Sequence, residues 1–225
     1  LIFDIAEAPQ VFSLWSSSLI YIIIGAYLIA SAVQSSGLGE RIAYKFLLKF
    51  VNSYKSIILS IFVLTIFLSL IIPHPWPRSF LIMSVISVVI KSTDLSEKDA
   101  ANIGFSVFAF SVPVSMIFLT GDSTLNILTL QMSGKNLSWV GWFYNMGIPA
   151  LFASVLTLIL FLFIFTPDKK LELNKTVIKE KLKSLGPLSS KEKRMIFWLS
   201  AAIILWTTDS IHGIELGWIT LLTAV

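Results

Sequence analysis

Pro73-His74-Pro75-Trp76-Pro77-Arg78-Ser79 interrupts an apolar stretch of this chain. Before it, residues 54–72 (YKSIILSIFVLTIFLSLII) form one long apolar run; after it, Phe80 to Ile90 form a second, short one. At 1.5 Å rise per residue the second run reaches roughly 16 Å, against about 30 Å for a hydrocarbon core. The pattern predicts a re-entrant hairpin over 54–90, with three prolines, a histidine and an arginine at its tip. Irregular backbone survives at membrane depth only where protein buries it or water lines it. Half-helices meeting at such breaks are where membrane transporters hold their ligands.

Composition places the hairpin in a membrane. The chain has 225 residues, 56% hydrophobic and 13% charged, with mean hydropathy +0.84. That is too apolar for a soluble domain of this size, and the fold class it indicates is an all-α polytopic membrane protein. The absence of cysteine excludes disulfides and thiolate metal sites. His74 and His212 are the two histidines, which argues against a histidine metal site. No cofactor is expected beyond a coupling ion. The net charge of +4 is not a nucleic-acid signal, because topology accounts for the basic residues. The chain opens on Leu1 and stops inside an apolar run begun near Ile214, so it reads as a piece of a longer membrane protein.

Working outward from the hairpin (54–92), residues 1–53 hold a scaffold-type span at about 11–33 and an interfacial amphipathic helix at 37–50. The helix carries Ile42, Phe46, Leu47 and Phe50 on one face, with Arg41, Lys45 and Lys49 elsewhere. Residues 93–132 form a helix broken at Thr120-Gly121-Asp122-Ser123-Thr124-Leu125-Asn126. Residues 133–166 comprise an extracytoplasmic loop, whose Trp139, Trp142, Phe143 and Tyr144 read as an aromatic belt, and a span ended by Pro167. A basic connector at 167–194 is amphipathic near 171–185 and touches lipid head groups. Residues 195–225 begin another apolar unit, interrupted at Thr207 to Gly213. Arginines and lysines mark the cytoplasmic side. Arg41, Lys45, Lys49, Lys55, Lys91, Lys98 and the nine basic residues after 167 fall on one side, leaving Lys135 on the other. Residues 1–10 are then outside, and the hairpin enters and leaves from the cytoplasm.

The break at 120–126 offers hydroxyls, a carboxamide and free backbone groups that can replace an ion's hydration shell. Thr120, Gly121 and Asp122 are the expected ion-coupling residues. Ser123, Thr124 and Asn126 are expected on the substrate, together with His74, Arg78 and Ser79 from the facing tip. Asp122 is the only acid between Ala100 and Phe165, and burying a carboxylate there costs at least ~2.5 kcal/mol. It suits a cation or proton role, and it also suits a cap on the second half-helix. Arg78 can meet an anionic substrate, Asp122 or free carbonyls. His74 can titrate near neutral pH or serve as a hydrogen-bonded structural group. The prolines fix the bend. No P-loop, dinucleotide motif or Ser-His-Asp arrangement is present, so an enzyme is not expected.

Two further stretches carry a family resemblance: Ala32-Val33-Gln34-Ser35-Ser36-Gly37-Leu38-Gly39-Glu40-Arg41-Ile42-Ala43, and Leu185-Gly186-Pro187-Leu188-Ser189 with Glu192-Lys193 and Leu205-Trp206-Thr207. In these segments, and in the order of its elements, the chain resembles the divalent anion:sodium symporter family. The resemblance implies an inverted-repeat fold, most of whose first repeat lies in this chain, a homodimer, and a multi-pass place in the cell's inner membrane. It also implies carriage of a dicarboxylate, sulfate or similar small anion, with sodium or protons as coupling ion or by exchange. The family's hairpin tip carries Ser-Asn-Thr, where this chain has His74-Pro75-Trp76. Thr120-Gly121 and Asn126 look like its Thr-Gly…Pro-Asn break, with one extra residue and no proline. A protein that kept the fold but lost transport is the alternative expectation.

Overall fold

The computed structural model describes residues 7–12, 15, 18–93, 95–167 and 175–224. Among these there are helices and turns but no strand. A short turn of helix, α1 (Ala8–Phe12), precedes α2 (Ser18–Ser36) and α3 (Leu38–Phe50). The last two meet at a 64° bend. Gly37 makes the bend with φ of 77°, a left-handed conformation that side chains with a Cβ rarely adopt. The hairpin comprises α4 (Tyr54–Ile71) and α5 (Pro75–Lys91). A Ser53–Ser56 capping box starts α4. Then follow α6 (Glu97–Ser115), a stretch of turns, and α7 (Leu125–Met132). Next, α8 (Trp139–Trp142) runs through a π turn (Phe143–Gly147) into α9 (Ile148–Ile164). The rest is α10 (Lys175–Ser184), α11 (Ser190–Thr207), α12 (Asp209–His212) and α13 (Leu216–Ala224).

By length and hydropathy, Tyr54–Ile71 and Trp139–Ile164 can each cross a membrane, and the bent α2–α3 pair counts as a third if it is one span. The hairpin's second arm is longer than its apolar run suggests. Its helix begins at Pro75 rather than near Phe80 and holds 17 residues, about 25 Å. Prolines at the first and third helical positions remove donors that have no intrahelical partner there anyway. The shortness of 80–90 therefore does not separate a re-entrant arm from a spanning one.

The helices pack in two groups. In the first, α4, α5 and α9 surround α6; Phe110 of α6 meets Phe62 and Phe161 edge-on at 5.4 and 5.3 Å. In the second, α13 lies along α2 and against α11. Gly25 approaches the Thr220 backbone there, and Tyr21 stacks on Trp218 at 4.9 Å. At one end, α3 and α10 join the groups. Arg41 corrects the expected polar face of α3: it is 6% exposed and forms a forked pair with Glu192. Its remaining donors reach the carbonyls of Leu185, Gly186 and Pro187. Phe50, on the apolar face of α3, is exposed. In the described part of the basic connector most side chains are exposed; Ile178 of α10 is buried, and Lys175 Nζ donates to Asn52 Oδ1 at 2.6 Å. Lys169 and Lys170, part of the expected basic cluster, lie outside the described residues.

Candidate functional site

Both breaks arise from local chemistry. Pro73, Pro75 and Pro77 stop α4 and reset the chain into α5. In α6, Pro113 lacks the N–H that would extend the helix ladder, and the helix ends two residues later, at Ser115. Residues 116–124 then run as turns. Gly121 is required there: a Cβ would lie 2.5 Å from the Ser115 carbonyl oxygen.

The structure brings the two breaks into contact. The Ser123 amide and hydroxyl donate to the Pro73 carbonyl at 3.2 and 2.8 Å. Arg78 is fully buried and donates to the carbonyls of Ile72 (3.4 Å), Gly121 (3.2 Å) and Ser111 (3.3 Å). One guanidinium thus stitches both tips and the end of α6, while its Nε has no partner among the described residues. Of the partners considered for Arg78, backbone carbonyls are the ones it meets in this structure. Ser79 donates to the Ser111 hydroxyl at 2.8 Å.

Asp122 is 5% exposed. Its Oδ1 accepts the Leu125 amide at 3.1 Å, the capping role, and its backbone carbonyl accepts Asn126 N–H. Asn126 turns its side-chain amide back on the break, donating to the carbonyls of Ser115 (2.9 Å), Phe118 (3.0 Å) and Leu119 (3.4 Å). Thr124 is half-buried beside them.

His74 caps α5. Its Nδ1 accepts the Trp76 amide at 3.3 Å, and its Nε2 lies 3.3 Å from the Tyr27 hydroxyl of α2. An acceptor Nδ1 places the neutral ring's proton on Nε2, facing that hydroxyl. Because Pro75 and Pro77 have no N–H, the Trp76 amide is the donor among the first three helical residues, and His74 takes it. This tip offers no cluster of amides to an anion, and Trp76 itself is exposed.

Between the tips lies a cavity of about 340 Å³. Ser79, Ser111, Ser115, Asp122 and Asn126 are its polar lining, in walls that are otherwise apolar, from Pro75, Trp76, Phe108, Val112, Met116 and Leu125. Asp122 is the charged residue on this lining. Of the sequence-predicted residues, Ser79, Asp122 and Asn126 reach the cavity. Arg78, Gly121 and Ser123 build the junction behind it, and His74 and Thr120 are spent on neighbours.

Sequence reasoning missed Ser111 and Ser115, whose i, i+4 spacing on an otherwise apolar helix was the available signal. It also misread the aromatic belt. Trp139 and Trp142 are buried, and they face the break. The Trp139 indole donates to the Thr120 hydroxyl at 3.1 Å, and the Trp142 indole to the Met116 carbonyl at 3.0 Å. Tyr144 is exposed, as a belt residue would be.

Comparison with known proteins agrees with this architecture. Residues 4–225 match the family described as the sodium:sulfate symporter transmembrane region. The chain is 26% identical over 223 residues to the inner membrane protein YbhI of Escherichia coli, covering 93% of this chain and 46% of that protein. It is 25% identical over 207 residues to the putative malate transporter YflS of Bacillus subtilis, covering 87% and 43%. With the sodium-dependent dicarboxylate transporter SdcS of Staphylococcus aureus the figures are 26% over 221 residues, 91% and 42%. The chain spans less than half the length of these relatives. It is an integral membrane protein, and it belongs to the sodium:sulfate symporter family of membrane transporters.

Proposed function

We propose that this chain forms the part of a secondary active transporter that holds a small di- or multivalent anion, a dicarboxylate or sulfate, and carries it by alternating access. The paired break supports this reading: two interrupted helices joined through Arg78 and Ser123, with a partly polar cavity between them. Such discontinuities are where transporters of this architecture coordinate ligands. Ser79, Ser123, Thr124 and Asn126, with His74 and Arg78, are assigned to the substrate side, and Thr120, Gly121 and Asp122 to the coupling cation. The single observation that carries the reading is Arg78. Burying a guanidinium in an apolar body is costly unless its bonds organise something, and here they organise both breaks. The names of relatives suggest sodium as the coupling ion and an inner membrane as the location. An inverted repeat, a homodimer, contact with membrane lipids, and a hairpin entered from the cytoplasm belong to the same reading.

Uptake of radiolabelled succinate and sulfate into proteoliposomes holding the whole protein, with sodium and pH gradients imposed separately, tests it. Gradient-driven uptake of either anion is the expected result. A proton gradient acting alone would single out Asp122 or His74 as the coupling group.

A second reading has its own observation. The hairpin tip has given up its amide donors to two prolines and spent its third on His74, and the cavity presents a carboxylate rather than a cation. A membrane protein that keeps this fold without transport is the function that fits if neither anion moves under any gradient.

A further inference from the structure

Residues 139–147 grip the carbonyl side of the break from outside the cavity. Trp139 spends its single indole donor on Thr120, and its ring stacks on Phe118 at 5.5 Å and 11°. Phe143 stacks on Phe118 at 6.0 Å. The Trp142 indole holds the Met116 carbonyl, and Gly147 lies so close that a Cβ would sit 2.4 Å from the Ile117 oxygen. Residues 116, 117, 118 and 120 are thus each fixed by this one segment. Trp139 is also held from the other helix group. Its backbone N–H donates to Asp209 Oδ2, at the start of α12, at 2.7 Å, a charge-assisted distance. Asp209 Oδ1 is buried with no hydrogen-bond partner among the described residues, and the Trp139 amide meets the other oxygen of this carboxylate. A cavity of about 760 Å³ adjoins the bond, lined among others by Ile22, Ile127, Leu130, Ser138, Asp209 and Glu215.

We propose that Trp139 is the positioning residue of the break, and that Asp209 sets it. An Asp209–Trp139–Thr120 relay then ties the corner between α11 and α12 to the segment assigned to ion coordination. The Trp139 indole occupies a lone pair of Thr120 Oγ1 and so fixes where the hydroxyl proton and the remaining lone pair point. The functional importance of this positioning rests on reading 120–126 as the ligand-coordinating segment; the relay itself does not.

The test uses the whole protein in detergent with no substrate, on a cysteine-free background for this chain. A Ser115→Cys reporter, at a buried position on the cavity lining, is labelled with a charged methanethiosulfonate reagent. Trp139→Phe, which keeps an aromatic ring but loses the indole donor, and Asp209→Ala should each raise the labelling rate about fivefold, the factor expected for one net hydrogen bond. Asp209→Asn, which keeps an acceptor oxygen, should stay within about twofold of the parent. Unchanged rates in Trp139→Phe and Asp209→Ala overturn the relay, and so does Asp209→Asn labelling as fast as Asp209→Ala. Because no transport is read, a protein that carries neither succinate nor sulfate can still pass this test, and one that carries them can still fail it.

Discussion

At the residue scale, Arg78 shows why a buried charge should be read through its partners. It sits at 0% exposure, yet its hydrogen-bond partners are backbone carbonyls from three separate segments. The carbonyls of Ile72 and Gly121 lie at the two breaks, outside regular helix, and that of Ser111 lies near the end of α6; the guanidinium's fixed fork reaches them together where an ammonium would reach fewer. Arg78→Leu should therefore destabilise the protein by about 2–4 kcal/mol, through oxygens left unpaired. Arg78→Lys should recover less than half of that. Thermal unfolding in detergent measures both, and equal stability of all three proteins would remove Arg78 from this role. Asn126 does the complementary work within the second break, closing three carbonyls with one amide group.

At the scale of elements, the break after α6 depends on a glycine at one site and tolerates change at another. Gly121 has the Ser115 carbonyl 2.5 Å from where a Cβ would lie, and that backbone oxygen cannot step aside without moving the break. Gly104, in the middle of α6, meets only the flexible end of Met83, at 3.4 Å. Gly121→Ala should lower stability by about 1–3 kcal/mol. Gly104→Ala should be neutral or stabilising by up to about 1 kcal/mol, from helix propensity. The contrast is read from melting temperatures of the two variants side by side; similar shifts would mean the turn stretch is more plastic than its packing indicates.

For the whole molecule, the joint between the helix groups at the α3 end is the Arg41–Glu192 pair. The two stretches that carried the family resemblance, around Arg41 and around Gly186 to Glu192, are one physical cluster. Arg41 holds both the link and the first turn of α11, where Ser189 and Glu192 form a capping box. Glu192 lies in the polar first turn, ahead of the apolar stretch that begins at Met195. Its carboxyl is pulled down from 4.5 to about 2, chiefly by the Arg41 hydrogen bond, against the opposing effect of burial. A depressed folded value means that the stabilisation is complete above about pH 4.5 and drains away as pH falls toward about 2. Arg41→Gln should cost about 3 kcal/mol at neutral pH, because it strands a buried carboxylate. The variant should also lose the fall in stability across that acidic window. Melting temperature against pH for the two proteins decides this, and parallel curves would rule the pair out as the cause.

The two breaks were legible in the sequence because breaks are made by residues that cannot continue a helix. Pro73, Pro75 and Pro77 lack N–H groups, Gly121 lacks a Cβ, and a lone Asp122 in an apolar run needs a local reason. The membrane class followed as directly from the apolar runs, since each residue reports its own hydropathy. What the tertiary structure alone decided is which donor meets which acceptor. Arg41 read as a surface charge because its partner lies 151 residues away. Trp139 and Trp142 read as an interfacial belt because a sequence gives an indole's type but not the direction of its N–H. Arg78 had several candidate partners in the sequence, and only the packing shows which carbonyls surround it. Local chemistry tells where the backbone must break; only the packing of distant segments tells which side chains close the groups that the break leaves open.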